Sequence, residues 1–361
     1  MLYPRLIRLP HTLPSVTHLR LTQLKFRGIQ PSYTFAYRFQ STMTGRPVRV
    51  LTVGTGAVGA IYSWRLSKSC HVTTVCRSNY DAVREKGFAI DSKKFGQEVF
   101  IPHNVVRSVE ESSKEEPYDY VVVTTKALPE LTNVADIIAP AVKEKTTVVL
   151  IQNGLGIEEP ITTRFPSNPI VSIVAYIGTS QIAPGQIAML GDESLIIGEY
   201  KAAPVDSEQQ REKFIELLEK GGVTVQRVED VEQVRWQKLF WNASFSPVCT
   251  VTGLNTSQVL ANKDAMSTVK NVMLDVIRAA NAVGYSFDEK EQYELMVAKT
   301  EQTALNYKPS MQLDYERGQP MEVEVILGTP LRRAKTKGLD VPYLETLHDL
   351  CSALNARALN K

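Results

Sequence analysis

The stretch Val50-Leu51-Thr52-Val53-Gly54-Thr55-Gly56-Ala57-Val58-Gly59 constrains the fold of this chain more than any other. Apolar and β-branched residues enter a glycine-rich turn, and an apolar segment with helical character leaves it, running to about Lys68. Gly-x-Gly-x-x-Gly between a strand and a helix is the fingerprint of a dinucleotide site. The first glycine makes the tight turn, the second lets a pyrophosphate approach the backbone, and the third packs helix against strand. Phosphates would rest on the helix N-terminus, which makes Gly54, Thr55, Gly56, Ala57, Val58 and Gly59 the expected cofactor cradle.

The segments that follow support that context. His71–Cys76, Tyr118–Thr125, Thr146–Gln152 and Pro169–Gly178 are short, nearly continuous apolar runs of the kind buried on both faces of a parallel sheet. Two further runs, 186–190 and 194–200, read as separate closing strands, antiparallel to the rest. The small, polar stretch 201–210 reads as a connection. Beyond it, apolar residues recur at helical spacing, as in Met266, Val269, Met273, Val276, Ile277, Ala280 and Val283, with Gly284 placed to stop the helix. The expectation is an α/β fold: a doubly wound, Rossmann-type domain over 47–203 followed by an all-α domain over 204–361.

An NAD-preferring site of this type carries an acidic residue at the end of the second strand, roughly 20 residues after the glycines, for the ribose 2′-hydroxyl. Here that strand ends Cys76-Arg77-Ser78-Asn79, without an acid. A guanidinium forms paired hydrogen bonds with a phosphate, so Arg77 points to NADPH, the alternative being a solvated loop arginine.

Charge divides the chain unevenly. Residues 1–46 carry seven basic side chains and no acidic one, and the first acid is Asp81. The remaining 34 basic and 39 acidic side chains give a net −5, which argues against a nucleic-acid partner. The leader has the composition of a mitochondrial presequence, with matrix import as the expectation; Pro4, Pro10 and Pro14 weigh against a targeting helix, and the alternatives are a disordered basic tail or an extension bypassed by a start at Met43, with a cytoplasmic protein. No apolar run reaches the roughly 18 residues of a membrane span. Cys70, Cys76, Cys249 and Cys351 form no metal-type spacing, and only His71, His103 and His348 lie outside the leader, so no metal site is expected.

Reduction of a carbonyl by hydride requires a proton donor at the developing alkoxide. No tyrosine is followed four residues later by lysine, so that familiar donor pair is absent. Lys126 follows a buried-type strand and is either a ligand group at the sheet edge or a solvated strand-end lysine. Asn153 follows another, in an Asn-Gly pair that also suits a plain turn. Lys238, Asn242 and Ser246 are spaced to share one face of a helix rich in aromatic residues, where burial would lower a lysine pKa. Ser310 and Glu322 frame a turn-like segment, with Glu322 opening an apolar helix.

Taken in order, GTGAVG, TTKA, IQNGLG, WQKLFWNASFSP, KPSMQLDYERGQPMEVE and GLDVP resemble the ketopantoate reductases (2-dehydropantoate 2-reductases), over residues 48 to about 355. The resemblance implies NADPH-dependent reduction of 2-dehydropantoate, with Lys238 as general acid and Glu322 supporting the catalytic network and the cofactor site. It also implies that Asn153 contacts cofactor and substrate, that Lys126 lines the cofactor site, and that Asn242 and Ser310 contact substrate. Ser246 stands before Pro247 where many members have an asparagine, Asn255 is a further candidate contact, and the usual Glu-Ile-Asp reads Glu322-Val323-Glu324. The partner is therefore a small 2-oxo acid, with another branched 2-oxo acid or a non-catalytic NADPH sensor as rival readings. A homodimer through the helical domain is compatible with the sequence.

Overall fold

The computed structural model of the chain describes residues 46–303 and 306–359. The leader, with its expected targeting role, lies outside the described residues. The first unit runs β1 (Arg49–Val53), α1 (Ala57–Leu66), β2 (His71–Val75), α2 (Tyr80–Lys86), β3 (Phe88–Ser92), β4 (Gly96–Phe100), β5 (Asn104–Val106) and α3 (Val109–Ser112). It continues with β6 (Tyr120–Val123), α4 (Val134–Ile138), β7 (Thr147–Leu150), α5 (Glu159–Arg164), β8 (Ile170–Ala183), β9 (Gln186–Glu199), α6 (Glu208–Lys220) and β10 (Val225–Asp230). The second unit comprises α7 (Val231–Asn242), α8 (Phe245–Thr252), α9 (Thr256–Ala261), α10 (Lys263–Ala282), α11 (Glu289–Thr303) and α12 (Ser310–Glu316). A π-turn (Glu324–Gly328), α13 (Thr329–Thr336) and α14 (Pro342–Leu359) complete it.

The strands form one sheet in the order β4-β3-β9-β8-β7-β6-β1-β2-β5, and from β8 to β5 every pair is parallel. The chain winds outward from β1 to β2, then crosses to β6 on the other side. This reversal between β1 and β6 is where open α/β sheets bind ligands. Val50, Leu51, Val121, Val122, Val148 and Val149 are fully buried, as their continuous apolar runs predict. Among the described residues no helix is long and apolar enough to cross a membrane.

Two expectations about the sheet unit are corrected. The runs 186–190 and 194–200 are one strand, β9, antiparallel to β8. Its outer edge is shared by β3, parallel to its start, and by β10, parallel to its end. The residues after 203 also do not begin the helical unit. α6 buries Phe214 and Leu218 in one core with Val50 and Val72, and Arg65 Nε of α1 donates to Gly221 O at 2.5 Å. The sheet therefore extends to Asp230, which ends β10 and caps α7 by accepting from the backbone N–H groups of Glu232 and Gln233.

Prolines shape the second unit. Pro247 has no N–H for the carbonyl of Ala243, and the Ser244 hydroxyl binds the carbonyl of Phe240 at 2.6 Å, so the helix breaks between α7 and α8. Lys238 and Asn242 thus lie on α7 while Ser246 starts a different helix, contrary to the single helical face expected. Pro330 likewise has no N–H to close a turn onto Val325 or Ile326. The helix widens there into the π-turn, with Thr329 N bonded to Glu324 O, and the Val325 carbonyl accepts instead from Leu155 N at 2.9 Å.

That bond joins the two units. Gly154, at φ +92°, lies so close to the π-turn that an added Cβ would meet the Val325 side chain at 2.5 Å and its carbonyl at 2.8 Å. Leu150 and Val53 of the sheet share one apolar core with Trp236 and Val325 of the helices. Gly154→Ala combines overpacking with an unfavourable φ and should cost at least about 2 kcal/mol; urea unfolding measures it, and an unchanged midpoint would mean that the loop moves away freely.

Candidate active site

Every strand that ends at the switch point delivers a candidate residue to one edge. β1 is followed by Gly54, β2 by Arg77, β6 by Lys126 and β7 by Asn153. Helix α7 crosses above this edge and brings Lys238 and Asn242 into the same cleft as Asn153 and Gln152.

The glycine loop fits a dinucleotide. A Cβ on Gly59 would meet Thr124 Oγ1 at 2.5 Å and Gly54 O at 2.6 Å, which is the close helix-to-strand approach expected of the third glycine. A Cβ on Gly56 would instead meet nothing within 4 Å, leaving open space before the N-terminus of α1. No side chain caps that terminus and no acid lies in its first turn, so its N–H groups are free to receive an anion. Thr55 is turned inward, its hydroxyl donating to Val75 O at 2.7 Å, and Asn79 Nδ2 donates to Thr55 O at 2.9 Å, which braces the loop against the end of β2. Arg77 is exposed beside it.

The polar centre is built around the Asn153 amide. Lys238 Nζ donates to Asn153 Oδ1 at 2.8 Å and to Ala175 O at 2.7 Å, and it lies 5.3 Å from the Tyr176 ring centroid. Asn153 Nδ2 faces Glu322 Oε2 at 3.5 Å, and Glu322 Oε1 accepts from Ala127 N at 2.9 Å. Burial pushes the Lys238 ammonium down to about 8, the Arg235 charge adds to this, and Glu322 opposes it. Burial also raises Glu322, against the Ala127 N–H and the charge of Lys126. Two of the three ammonium protons are engaged by protein oxygens, which leaves one for a ligand in the cleft.

Other expected residues are placed differently. Lys126 pairs with Asp314 of α12 at 2.5 Å. Ser246 is buried at the start of α8, and Ser310 is exposed as the first residue of α12. Asn255 forms a capping box with Gln258 at the start of α9, and its side chain makes no bond to the Lys238 group, so the structure gives it a capping role.

Three neighbours escaped the sequence reading. Arg235 and Glu158 form a fully buried ion pair at 2.7 Å. Gln152, 5% exposed, donates to Thr125 O at 2.8 Å while its Oε1 has no partner among the described residues. Only Arg235 left a signal, three residues before Lys238 and therefore on the same side of α7.

Comparison with known proteins places this geometry in a family. The family model "Ketopantoate reductase PanE/ApbA" matches residues 50–202, and its C-terminal counterpart matches 230–355. The chain is 32% identical to an uncharacterised protein of Saccharomyces cerevisiae, over 86% of this chain and 94% of that protein. The crystal structure of 2-dehydropantoate 2-reductase from Methylococcus capsulatus is 32% identical with a TM-score of 0.76, covering 86% and 98% of the two chains. D-mandelate dehydrogenase, solved with NADH and anilino(oxo)acetate, shares the fold at 20% identity and a TM-score of 0.78, covering 86% and 99%. The chain belongs to the ketopantoate reductase family and is an oxidoreductase acting on a CH–OH group.

Proposed function

We propose that this protein reduces 2-dehydropantoate to pantoate with NADPH, in the synthesis of pantothenate and coenzyme A. The observation that carries the reading is the half-buried Lys238, brought down to about 8 and held by Asn153 and Ala175 with one proton left for the cleft. The nicotinamide nucleotide, when bound, supplies the hydride. Its pyrophosphate suits the open N-terminus of α1, and the exposed Arg77 after β2, with no acid at that strand end, supports a 2′-phosphate. Lys238 hydrogen-bonds the keto oxygen and passes its proton to the alkoxide as charge develops there. Asn153 aims the ammonium, and Glu322 holds the other end of that amide. Asn242, one helical turn beyond Lys238, lines the same cleft and serves the substrate's hydroxyl or carboxylate.

A second reading, reduction of another branched 2-oxo acid, is favoured by Ser246, which shortens a position where many members carry asparagine. NADPH oxidation measured with 2-dehydropantoate and a panel of branched 2-oxo acids separates the two. Binding of NADPH without turnover of any of them would move the protein to a sensing role. The basic leader supports import into the mitochondrial matrix, tested by locating the full chain beside one starting at Met43.

Lys238→Ala should lower turnover at least about 10²-fold, the usual scale of general acid catalysis; near-normal turnover would remove Lys238 from the role. Because the protonated ammonium is the working form, reductive kcat/KM should fall as pH rises through about 8, and a flat profile up to pH 10 would contradict the assignment. Arg77→Ala should raise KM for NADPH while leaving that for NADH nearly unchanged, and an equal rise for both would show that Arg77 does not read the 2′-phosphate.

A further inference from the structure

We infer that Arg235, paired with Glu158 in the interior, is a positioning residue that sets Lys238 and the Asn153 amide against each other at the carboxyl edge of the sheet. The inference rests on Lys238 as the proton donor. Arg235 is buried at the wall of the same cleft and bonds no group expected to react; it acts through the backbone around Asn153.

The guanidinium is 2% exposed and its nitrogens all find acceptors. Nη1 donates to Gln152 O at 2.9 Å and to Gly154 O at 3.2 Å, the two carbonyls on either side of Asn153. Nη2 donates to Ser172 Oγ at 2.8 Å and Ile173 O at 3.2 Å, both on β8. Nε binds Ser172 Oγ at 3.1 Å and Glu158 Oε1 at 2.7 Å, and the Ser172 hydroxyl donates to the same carboxylate oxygen at 2.5 Å. One turn of α7 later, Lys238 uses the same two elements, taking Asn153 Oδ1 from the loop and Ala175 O from β8. Two cations three residues apart are therefore fastened to the same loop and the same strand, the first buried and the second facing the cleft. A planar five-donor fork holds several carbonyls at fixed angles, which a lysine at this position would not do.

The arrangement also has an electrostatic side. The charged and titratable groups facing Lys238 are Arg235 on its own helix, Tyr176 from β8 and Glu322 from the segment before the π-turn. Lys126 and Asp314 act on Glu322, and Glu158 is paired with Arg235. Removing the Arg235 charge takes away a neighbouring cation and leaves the Glu158 carboxylate uncompensated, and both changes favour the ammonium. Removing the Glu158 charge does the reverse.

The test reads Lys238 itself. Acetic anhydride labelling across pH, with the Lys238 peptide quantified by mass spectrometry, gives its titration midpoint in the full chain without substrate or cofactor. Wild type should titrate near 8. Arg235→Met should move the midpoint up, and Glu158→Gln should move it down. Arg235→Lys should keep it near wild type while amide hydrogen exchange at Gly154 and Leu155 accelerates at least about tenfold. If Arg235→Met does not fold, the other two variants carry the test. Lowered thermal stability with an unmoved Lys238 midpoint in Glu158→Gln and unchanged exchange in Arg235→Lys would make Arg235 purely structural and overturn the inference. Shifted midpoints in a protein that turns over no 2-oxo acid would sink the reductase reading instead, leaving the placement of Lys238 by Arg235 standing.

Discussion

An ammonium group taken out of water must be given oxygen atoms in return, and much of this molecule's architecture meets that requirement at Lys238. The oxygens come from a loop after β7 and from the backbone of β8, while the lysine comes from α7. The site thus exists only where helix and sheet are locked together. The shared apolar core does this in bulk, and the contacts of Leu155, Gly154 and Glu322 do it locally.

Much of the sheet was legible because strands buried on both faces read as continuous apolar runs. β1, β2, β6, β7 and β8 are such strands, and they deliver Gly54, Arg77, Lys126 and Asn153 to one edge. The outer strands were not legible. β4 is exposed over four of its five residues and β10 is half-buried at most, so neither presents an apolar run. A polar connection at 201–210 then looked like the end of the sheet unit, although α6 and β10 return to it.

The site was legible in its central polar groups more than in their support. Lys238, Asn153 and Glu322 do come together, as the family resemblance implies. The Arg235–Glu158 pair was missed because a single buried ion pair leaves no periodicity, and charged residues are usually read as surface. Ser246 was placed on the wrong helix because four-residue spacing was given more weight than the proline after it. Asn255 is engaged at a helix start, a role for which asparagine is well suited and which its nearness to α7 in sequence does not reveal.

The π-turn has a consequence for how this site tolerates change in chain length. An extra residue per turn is what separates a π-turn from an α-turn, so deleting one residue between Glu324 and Gly328 would restore regular helix. The change in direction between its flanks would be small, but the Val325 carbonyl would be drawn back into the helix and Leu155 N would lose its acceptor. A deletion there would be mild for the helix and severe for its seam with the loop that carries Asn153, making this segment a place where the same architecture can loosen the site without losing its helices.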